Sequence, residues 1–248
     1  GVCGLKPTYG ALSLEGIRPL APSLDHPGAI AGTVGGLARM WRVLSGGVDL
    51  AVAAAGPVVL GRVRGMFEER ADANAVEAVE LFLGAVGRAG ARVVEALTHV
   101  SFDMILREHR LILAAEAAAI HEGRRREHPE EYPERIGRLI EEGGTIRAVD
   151  YLEAKGRLKE ARRGAGGMLE GVDAIVCPAA LGEAPGRSTT GEPAFQSPWS
   201  YLGVPTVCLP VAVREGGLPL GVQLVGRPGG EGALLGAALW CEQVLREA

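Results

Sequence analysis

Three short apolar runs in the last third of the chain constrain its fold more than any other feature. The run GVDAIVCPAAL is typical of a buried strand, and it stops at Pro178, whose nitrogen has no hydrogen to donate. TVCLPVAV and GGLPLGVQLVG follow, separated by turn residues, and this pattern predicts a β-hairpin. The strands require a sheet with a buried face, so other segments must supply the layers that cover it.

The middle of the chain supplies helices for those layers. Residues Phe102–Glu127 place apolar side chains on one stripe at helical spacing, and residues 149–168 predict another helix. Before them, GPVVLGRV predicts a buried strand, residues 74–89 a helix and ARVVEAL a second strand. A strand–helix–strand order is the usual source of a parallel strand pair.

The first residues return to a strand-like and turn-like pattern. GVCGLKPTYG opens the chain, and ALSLEG alternates as a short strand does. Thr33 is a candidate cap for a helix that runs to Leu44, where Gly46 and Gly47 end it. The segments 1–50 and 171–248 are therefore predicted to share one sheet, with the mostly helical segment 51–170 between them. The fold class is α/β.

Composition excludes several kinds of partner. The formal net charge is −4 and aromatic residues make up 4% of the chain, which argues against nucleic-acid binding. No apolar run is long enough to span a bilayer, and no charged-then-apolar leader is visible. The four cysteines are widely separated, which favours buried thiols in a reducing cytoplasm. The five histidines are scattered, so we predict neither a metal site nor a cofactor.

Two stretches carry residue types that could perform nucleophilic or base chemistry. Ser23, Asp25 and His26 have the composition of a catalytic triad, but adjacent side chains point to opposite sides of an extended backbone, so a locally hydrogen-bonded turn is favoured. Lys6 lies between Leu5 and Pro7, where burial would lower its pKa and suit it to act as a base. A lysine bound to backbone carbonyls fits the same setting and is the favoured interpretation.

The segment 189–205 has the composition of a ligand pocket. It combines hydroxyl and amide side chains with large aromatic ones, as small-molecule sites do. The same composition fits a loop that covers the core and simply packs its aromatic residues. The residues alone do not decide between these two interpretations.

Phrases at both ends of the chain resemble the amidase signature family. GVCGLKPTYGALSLEGIRPLAPSLDHPG is similar to the phrase G-V-x-G-L-K-P-T-x-G…S-L-D that follows the family's nucleophile loop. TTGEPAFQSPWSYLGVPTVCLPVAVREGGLPLGVQLVG is similar to its C-terminal phrase. The segments between them occur in the matching order, so the resemblance covers nearly the whole chain. It implies a mixed sheet flanked by helices, without the family's N-terminal half, as a single incomplete domain over residues 1–248.

The resemblance also implies how the chain takes part in catalysis. Family members hydrolyse amides with a Ser–cis-Ser–Lys triad, and all three residues precede the phrase that opens this chain. We therefore expect no catalytic residue in residues 1–248, because Lys6 matches the later K-P-T lysine. The expected function is the substrate-side wall of an amidase that acts on a small-molecule amide, with a missing N-terminal segment or a second copy as partner. A non-catalytic remnant of the family is the alternative, and the sequence does not identify the amide.

Five residues are the predicted substrate-binding residues. Thr190, Gly191, Gln196 and Trp199 come from the pocket-like loop. Arg138 is the candidate for binding an anionic group, because some relatives carry a substrate-binding arginine near this position. A surface salt bridge from Arg138 to Glu141 or Glu142 is the competing interpretation.

Overall fold

The computed structural model describes residues 1–47, 56–96, 98–213 and 217–247. The residues at 48–55 contain the predicted boundary at residue 50 and lie outside the described part, as does Leu97, the last residue of the predicted strand ARVVEAL. In the described part, the strands β1–β7 are Cys3–Lys6, Ala29–Ala31, Val59–Arg62, Arg92–Glu95, Ala174–Pro178, Thr206–Val213 and Pro219–Val225. The helices α1–α8 are Val34–Leu44, Met66–Glu69, Ala73–Arg88, Phe102–Glu127, Glu134–Gly144, Ala148–Gly164, Ser197–Leu202 and Glu231–Glu247.

The described strands form one mixed sheet in the order β2-β1-β6-β7-β5-β3-β4. β3 pairs in parallel with β4 and with β5, whereas β6 and β7 form the predicted antiparallel hairpin. β1 pairs antiparallel with β6, with Gly4 opposite Cys208. The two ends of the chain therefore share one sheet, as the sequence predicted.

Local sequence signals set the starts of some of the helices. The Thr33 hydroxyl caps α1 by accepting a hydrogen bond from the backbone N–H of Gly36 at 3.0 Å. The Asp72 carboxylate caps α3 in the same way, because it accepts a hydrogen bond from the backbone N–H of Ala75 at 2.7 Å. The helix predicted over residues 149–168 ends as an α-helix at Gly164, and a 3-10 helix, Ala165–Leu169, continues it.

One predicted strand is wrong. ALSLEG forms turns, since the Ser13 hydroxyl accepts from the N–H of Glu15 at 3.0 Å and Leu14 O accepts from the N–H of Ile17 at 3.0 Å. Gly16 has a φ of 78°, in the region that favours glycine. The alternating pattern has no neighbouring strand to pair with, so the segment forms turns that its own side-chain and backbone hydrogen bonds stabilise.

The two faces of the sheet bury different clusters. One face packs against α1, α3 and α8 through aliphatic side chains and the rings of Trp41 and Phe82. The opposite face packs against α2, α4, α6 and α7, with Phe67, Phe195 and Trp199 at the centre of the cluster. This second face carries the candidate site.

Candidate substrate-side cavity

The second face of the sheet lacks apolar cover where β1, β6 and β7 meet. Side chains that point to this face form a row across the strands, because Gly4 lies opposite Cys208 and Cys208 lies opposite Gln223. A cavity of about 360 Å³ opens over this row. Its lining includes Lys6, His26 and Gln196 in addition to the residues of the row. The strands thus present small and polar groups where the rest of the face presents a core.

A second, larger cavity of about 670 Å³ lies beside the first. It is bounded by the loop that follows β5 and by the ends of β1, β6 and β7. Leu181, Pro185, Leu209 and Leu220 give it apolar walls, while Thr190 and Gln196 supply polar groups. An apolar cavity with a few placed polar groups is the usual form of a small-molecule site.

Gln196 lines both cavities, and one hydrogen bond fixes how its side chain is oriented. Its amide nitrogen donates to the carbonyl oxygen of Ala179, the residue that follows β5. Only the NH₂ end of a carboxamide can donate to a carbonyl, so the Oε1 atom is at the other end and can accept a hydrogen bond. Beneath it, the buried Gln223 donates to Phe195 O at 3.2 Å and holds the same loop against the sheet.

Thr190 and Gly191 form the outer rim of the larger cavity. Gly191 has a φ of 84°, which explains why glycine is favoured there. The guanidinium of Arg135, at the start of α5, donates to Gly191 O at 3.2 Å and approaches the Thr190 hydroxyl at 3.5 Å. Sequence reasoning missed Arg135, because only the fold brings α5 next to this loop, 55 residues later in the chain.

Trp199 lies behind the cavity wall rather than on its surface. Its side chain is fully buried and stacks on Phe67, with ring centroids 5.4 Å apart and planes at 12°. Phe102 meets it edge-on at 5.7 Å. The 189–205 loop therefore has two parts: residues around Thr190 and Gln196 line a cavity, whereas Trp199 packs in the core.

Arg138 lies away from both cavities. Its side chain is 73% exposed and forms a salt bridge with Glu134, one helical turn earlier on α5. The predicted salt-bridge partners were wrong, because Glu141 pairs with Arg125 at 2.5 Å and Glu142 pairs with Arg110 at 2.5 Å. Arg135 and Arg138 are three residues apart, yet only Arg135 faces the loop.

Lys6 is anchored by the backbone, as the favoured interpretation held. Its ammonium donates to the carbonyl oxygens of Val204 and Pro7. Burial, and then the charge of Arg162, lower the pKa of Lys6 to about 7. Burial, and then the charge of Lys6, lower the pKa of His26 to about 3, so its imidazole is neutral at physiological pH. Because Lys6 is engaged with two carbonyls, its first role is to join the opening segment to the end of α7.

The candidate triad does not form. Asp25 accepts from the N–H groups of Leu20 and Ala21 at 2.9 and 3.0 Å, as in a local turn. His26 Nδ1 bonds to Leu24 O at 2.7 Å. The Ser23 hydroxyl instead donates to the carboxylate of Glu116 and accepts from Lys155.

Glu116 is the centre of a buried polar network that ties three segments together. Its carboxylate accepts from Ser23 N at 2.8 Å and from Tyr151 OH at 2.7 Å, and it lies 3.2 Å from Lys155 Nζ. Burial by itself raises the pKa of Glu116, but the hydrogen bonds from Ser23 and Tyr151 and the charge of Lys155 outweigh it and hold the pKa below its ordinary value. The same burial, with Glu116 nearby, raises the pKa of Tyr151 to about 12.

The thiols and the potential metal ligands add no reactive group to the cavities. Cys3, Cys177 and Cys241 are buried thiols, and Cys208, which lines both cavities, is held by burial at a pKa of about 12. Within the described part of the chain, one trio of potential metal ligands is close enough to share an ion. It comprises His128, Glu130 and Glu131 on an exposed turn, where Arg124 already binds Glu131 at 2.6 Å.

Comparison with known proteins shows which family has this architecture. The model of the family named Amidase matches residues 1–235, and the chain therefore belongs to the Amidase family. A solved crystal structure of an amidase superposes with a TM-score of 0.86 at 29% sequence identity. The match covers 98% of this chain and 58% of that one, so the fold is part of the amidase fold.

Curated relatives match over a similar share of their length. The 2-amino-5-chloromuconic acid deaminase of Comamonas testosteroni is 28% identical over 274 residues, which is 99% of this chain and 56% of the relative. An amidase of Pseudomonas putida is 29% identical over 270 residues, which is 97% of this chain and 58% of the relative. The chain thus spans somewhat more than half the length of these relatives. Among the described residues, no helix is both long and apolar enough to span a bilayer.

Proposed function

We propose that residues 1–248 are the C-terminal part of an amidase that hydrolyses the carbon–nitrogen bond of a small-molecule amide. They supply the substrate-side wall of the active site, and the catalytic serines and lysine come from a segment outside these residues. Family membership supports amide hydrolysis. The resemblance of the opening phrase to the segment that follows the family's nucleophile loop supports the division of roles.

The observation that carries the proposal is the position of Gln196 between the two cavities. Its carbonyl oxygen can accept the N–H of a substrate carboxamide, because its own NH₂ group is engaged with Ala179. The apolar walls around it hold the rest of the substrate out of water, which strengthens that hydrogen bond. Gly1 lines the larger cavity, so a segment that precedes it in the complete enzyme enters beside the bound amide.

Thr190 and Gly191 are the proposed outer contacts of the substrate, and Arg135 holds them in place. Trp199 serves the site by supporting the helix that follows Gln196, since its ring is closed in by Phe67 and Phe102. Arg138 has no place in the proposed site, because it lies away from the cavities and pairs with Glu134.

Binding of a simple primary amide tests the wall itself. Benzamide titrated into the purified chain should perturb the NMR signals of Gln196, Thr190 and Gly191. The substitution Gln196→Leu should weaken binding about tenfold, as expected for a hydrogen bond in a site that excludes water. Gln243→Leu is the matched control, because this glutamine lies on the exposed side of α8. Equal affinity in the two variants would contradict the assignment of Gln196.

Activity tests the division of roles. The purified chain should release no ammonia from aryl or alkyl amides, because no nucleophile of the family triad matches a residue in it. Turnover that a serine-directed sulfonyl fluoride abolishes would show that the chain carries its own nucleophile. The DNA upstream of Gly1 distinguishes the proposed amidase from a non-catalytic remnant. An in-frame segment that encodes G-G-S-S-G-G-S and G-G-S-I-R would support the amidase. A genuine start codon just before Gly1 would support the remnant.

A further inference from the structure

A third cavity, of about 610 Å³, runs along the second half of α6 and shares no lining residue with the two cavities beside Gln196. Six residues line it: Tyr9, Lys155, Leu158, Lys159, Arg162 and Arg163. Four of these are cationic, and none is a carboxylate. Residues that are four, seven or eight positions apart lie on one side of a helix. Lys159, Arg162 and Arg163 have these spacings from Lys155, so all four cations line the same cavity. A concentration of positive charge is notable in a chain whose formal net charge is −4.

Carboxylates neutralise only part of this charge. Lys155 lies 3.2 Å from Glu116, and Arg163 pairs with Glu160. Neither Lys159 nor Arg162 has a carboxylate oxygen within 4.0 Å among the residues that the structure describes. Two positive charges at one cavity therefore form no salt bridge, and Glu116 and Glu160 act on them only at longer range.

Arg162 is fixed in place although it has no acidic partner. Its guanidinium donates to Tyr201 O at 2.9 Å, to Ser23 O at 2.7 Å and to Ser200 O at 3.2 Å. It also lies over the ring of Tyr9, 3.8 Å from the ring centroid. These contacts hold the charge at the cavity wall at no further cost in side-chain entropy when a ligand arrives. Carbonyl groups accept from its Nε and Nη2 atoms but do not neutralise its charge.

We propose that this basic cavity binds a dianionic phosphate group. Two cations that form no salt bridge, one fixed and one on a flexible stem, match the two negative charges and the acceptor oxygens of such a group. Tyr9 and Leu158 add an apolar wall, so the phosphate can belong to a small organic molecule as well as to free inorganic phosphate. The chemistry recognised is the same in both cases, and the experiment below separates the two sources.

Lysine acetylation gives a site-resolved test, because the chain has only three lysines. The full chain is treated with an acetylating reagent in sodium chloride or in inorganic phosphate at equal ionic strength, and mass spectrometry follows each lysine. At a phosphate concentration of ten times the Kd, the acetylation rate of Lys159 should fall about tenfold by mass action. Lys6 is buried beside the other cavity and is the internal control, whose rate should not change. Equal rates at Lys159 in the two salts would overturn the proposal.

Two charge-neutralising variants then localise the binding. Calorimetric affinity for phosphate should fall about fivefold in Lys159→Gln, the loss of one solvent-accessible charge-assisted contact. Arg147→Gln removes an exposed positive charge at the other end of the same helix, where Arg147 pairs with Asp150, and should leave the affinity unchanged. An equal loss in both variants would reduce the effect to general charge attraction and overturn the site. Arg162 is left intact because its carbonyl contacts also support α7.

Phenyl phosphate identifies the source of the phosphate group. Tighter binding of phenyl phosphate than of inorganic phosphate would assign the site to an organic phosphate that uses Tyr9 and Leu158. Equal affinity would assign it to inorganic phosphate. Failure of both compounds to protect Lys159 would exclude a phosphate site at this cavity.

Discussion

The two faces of the sheet are built from different chemistry. The face under α1, α3 and α8 buries aliphatic side chains together with Trp41 and Phe82. The opposite face combines an aromatic cluster around Trp199, the charged network of Glu116 and two open cavities at Gln196. A continuous apolar layer stabilises the fold, and the interrupted one leaves room for a ligand.

The comparison shows how one sheet can divide stability from function. Alternate residues of a strand point to opposite faces, so Leu5 and Val207 enter the closed core while Gly4 and Lys6 face the cavity. Each strand therefore contributes to both layers at once. Substitutions on the closed face should act on the free energy of unfolding, whereas substitutions at the cavities should act mainly on binding and on loop order.

The largest effect is expected on the closed face. Phe82→Ala should lower the free energy of unfolding by about 4 kcal/mol, because it removes a fully buried ring from a close-packed layer. Leu81→Ala is the matched control on the same helix, since Leu81 is 55% exposed, and it should cost less than about 0.5 kcal/mol. Urea unfolding followed by circular dichroism measures both. Equal costs would mean that this layer is not the main source of stability.

The charged network of the opposite face should come next. Glu116→Gln leaves Lys155 and the Ser23 hydroxyl without their carboxylate and should cost about 3 kcal/mol, as does breaking a buried ion pair. Glu122→Gln, on the same helix, is the control, because Glu122 is 60% exposed in its pair with Arg126. The control should cost less than about 0.5 kcal/mol. A Glu116 variant as stable as the control would show that the network is dispensable.

A smaller effect should appear as a pH dependence that belongs to Glu116. Its pKa in the folded chain is below its ordinary value of 4.5, so its contribution to stability is complete above about that pH and is lost as the pH falls through the folded pKa. Glu80, Asp150 and Glu160 also have lowered pKa values, so the difference between wild type and Glu116→Gln isolates the network. The difference in urea midpoint should shrink on acidification below pH 4.5. A constant difference would contradict an ionised Glu116.

The smallest effect on stability is expected at the cavity rim. Arg135→Ala should cost less than about 1 kcal/mol, since this guanidinium is exposed. It should nevertheless loosen the loop around Gly191, so trypsin should cleave after Arg187 a few times faster. Arg138→Ala, three residues further along α5, is the control and should leave that cleavage rate unchanged. Equal cleavage rates in the two variants, whatever their stability losses, would contradict a role for Arg135 in ordering the loop.

Much of the fold could be predicted from local patterns. The Thr33 cap, the hairpin of β6 and β7 and the parallel pair of β3 and β4 were confirmed, because each depends on residues close in sequence. The strand prediction for ALSLEG was wrong. An alternating segment forms a strand only if another strand pairs with it, and the presence of that partner depends on residues distant in sequence. Thr190, Gly191 and Gln196 were predicted from composition, and the structure brings them to one cavity. Their role in binding stays a prediction.

The sequence by itself determined the family, much of the order of strands and helices, and the alternation that separates the two faces. Tertiary structure decided which polar residues meet: Arg135 rather than Arg138 reaches the loop, and Ser23 meets Glu116 and Lys155 instead of His26. It also placed Trp199 in the core. The physical reason is that helical and strand periods fix the direction of a side chain on its own element, whereas its partners depend on how distant elements pack.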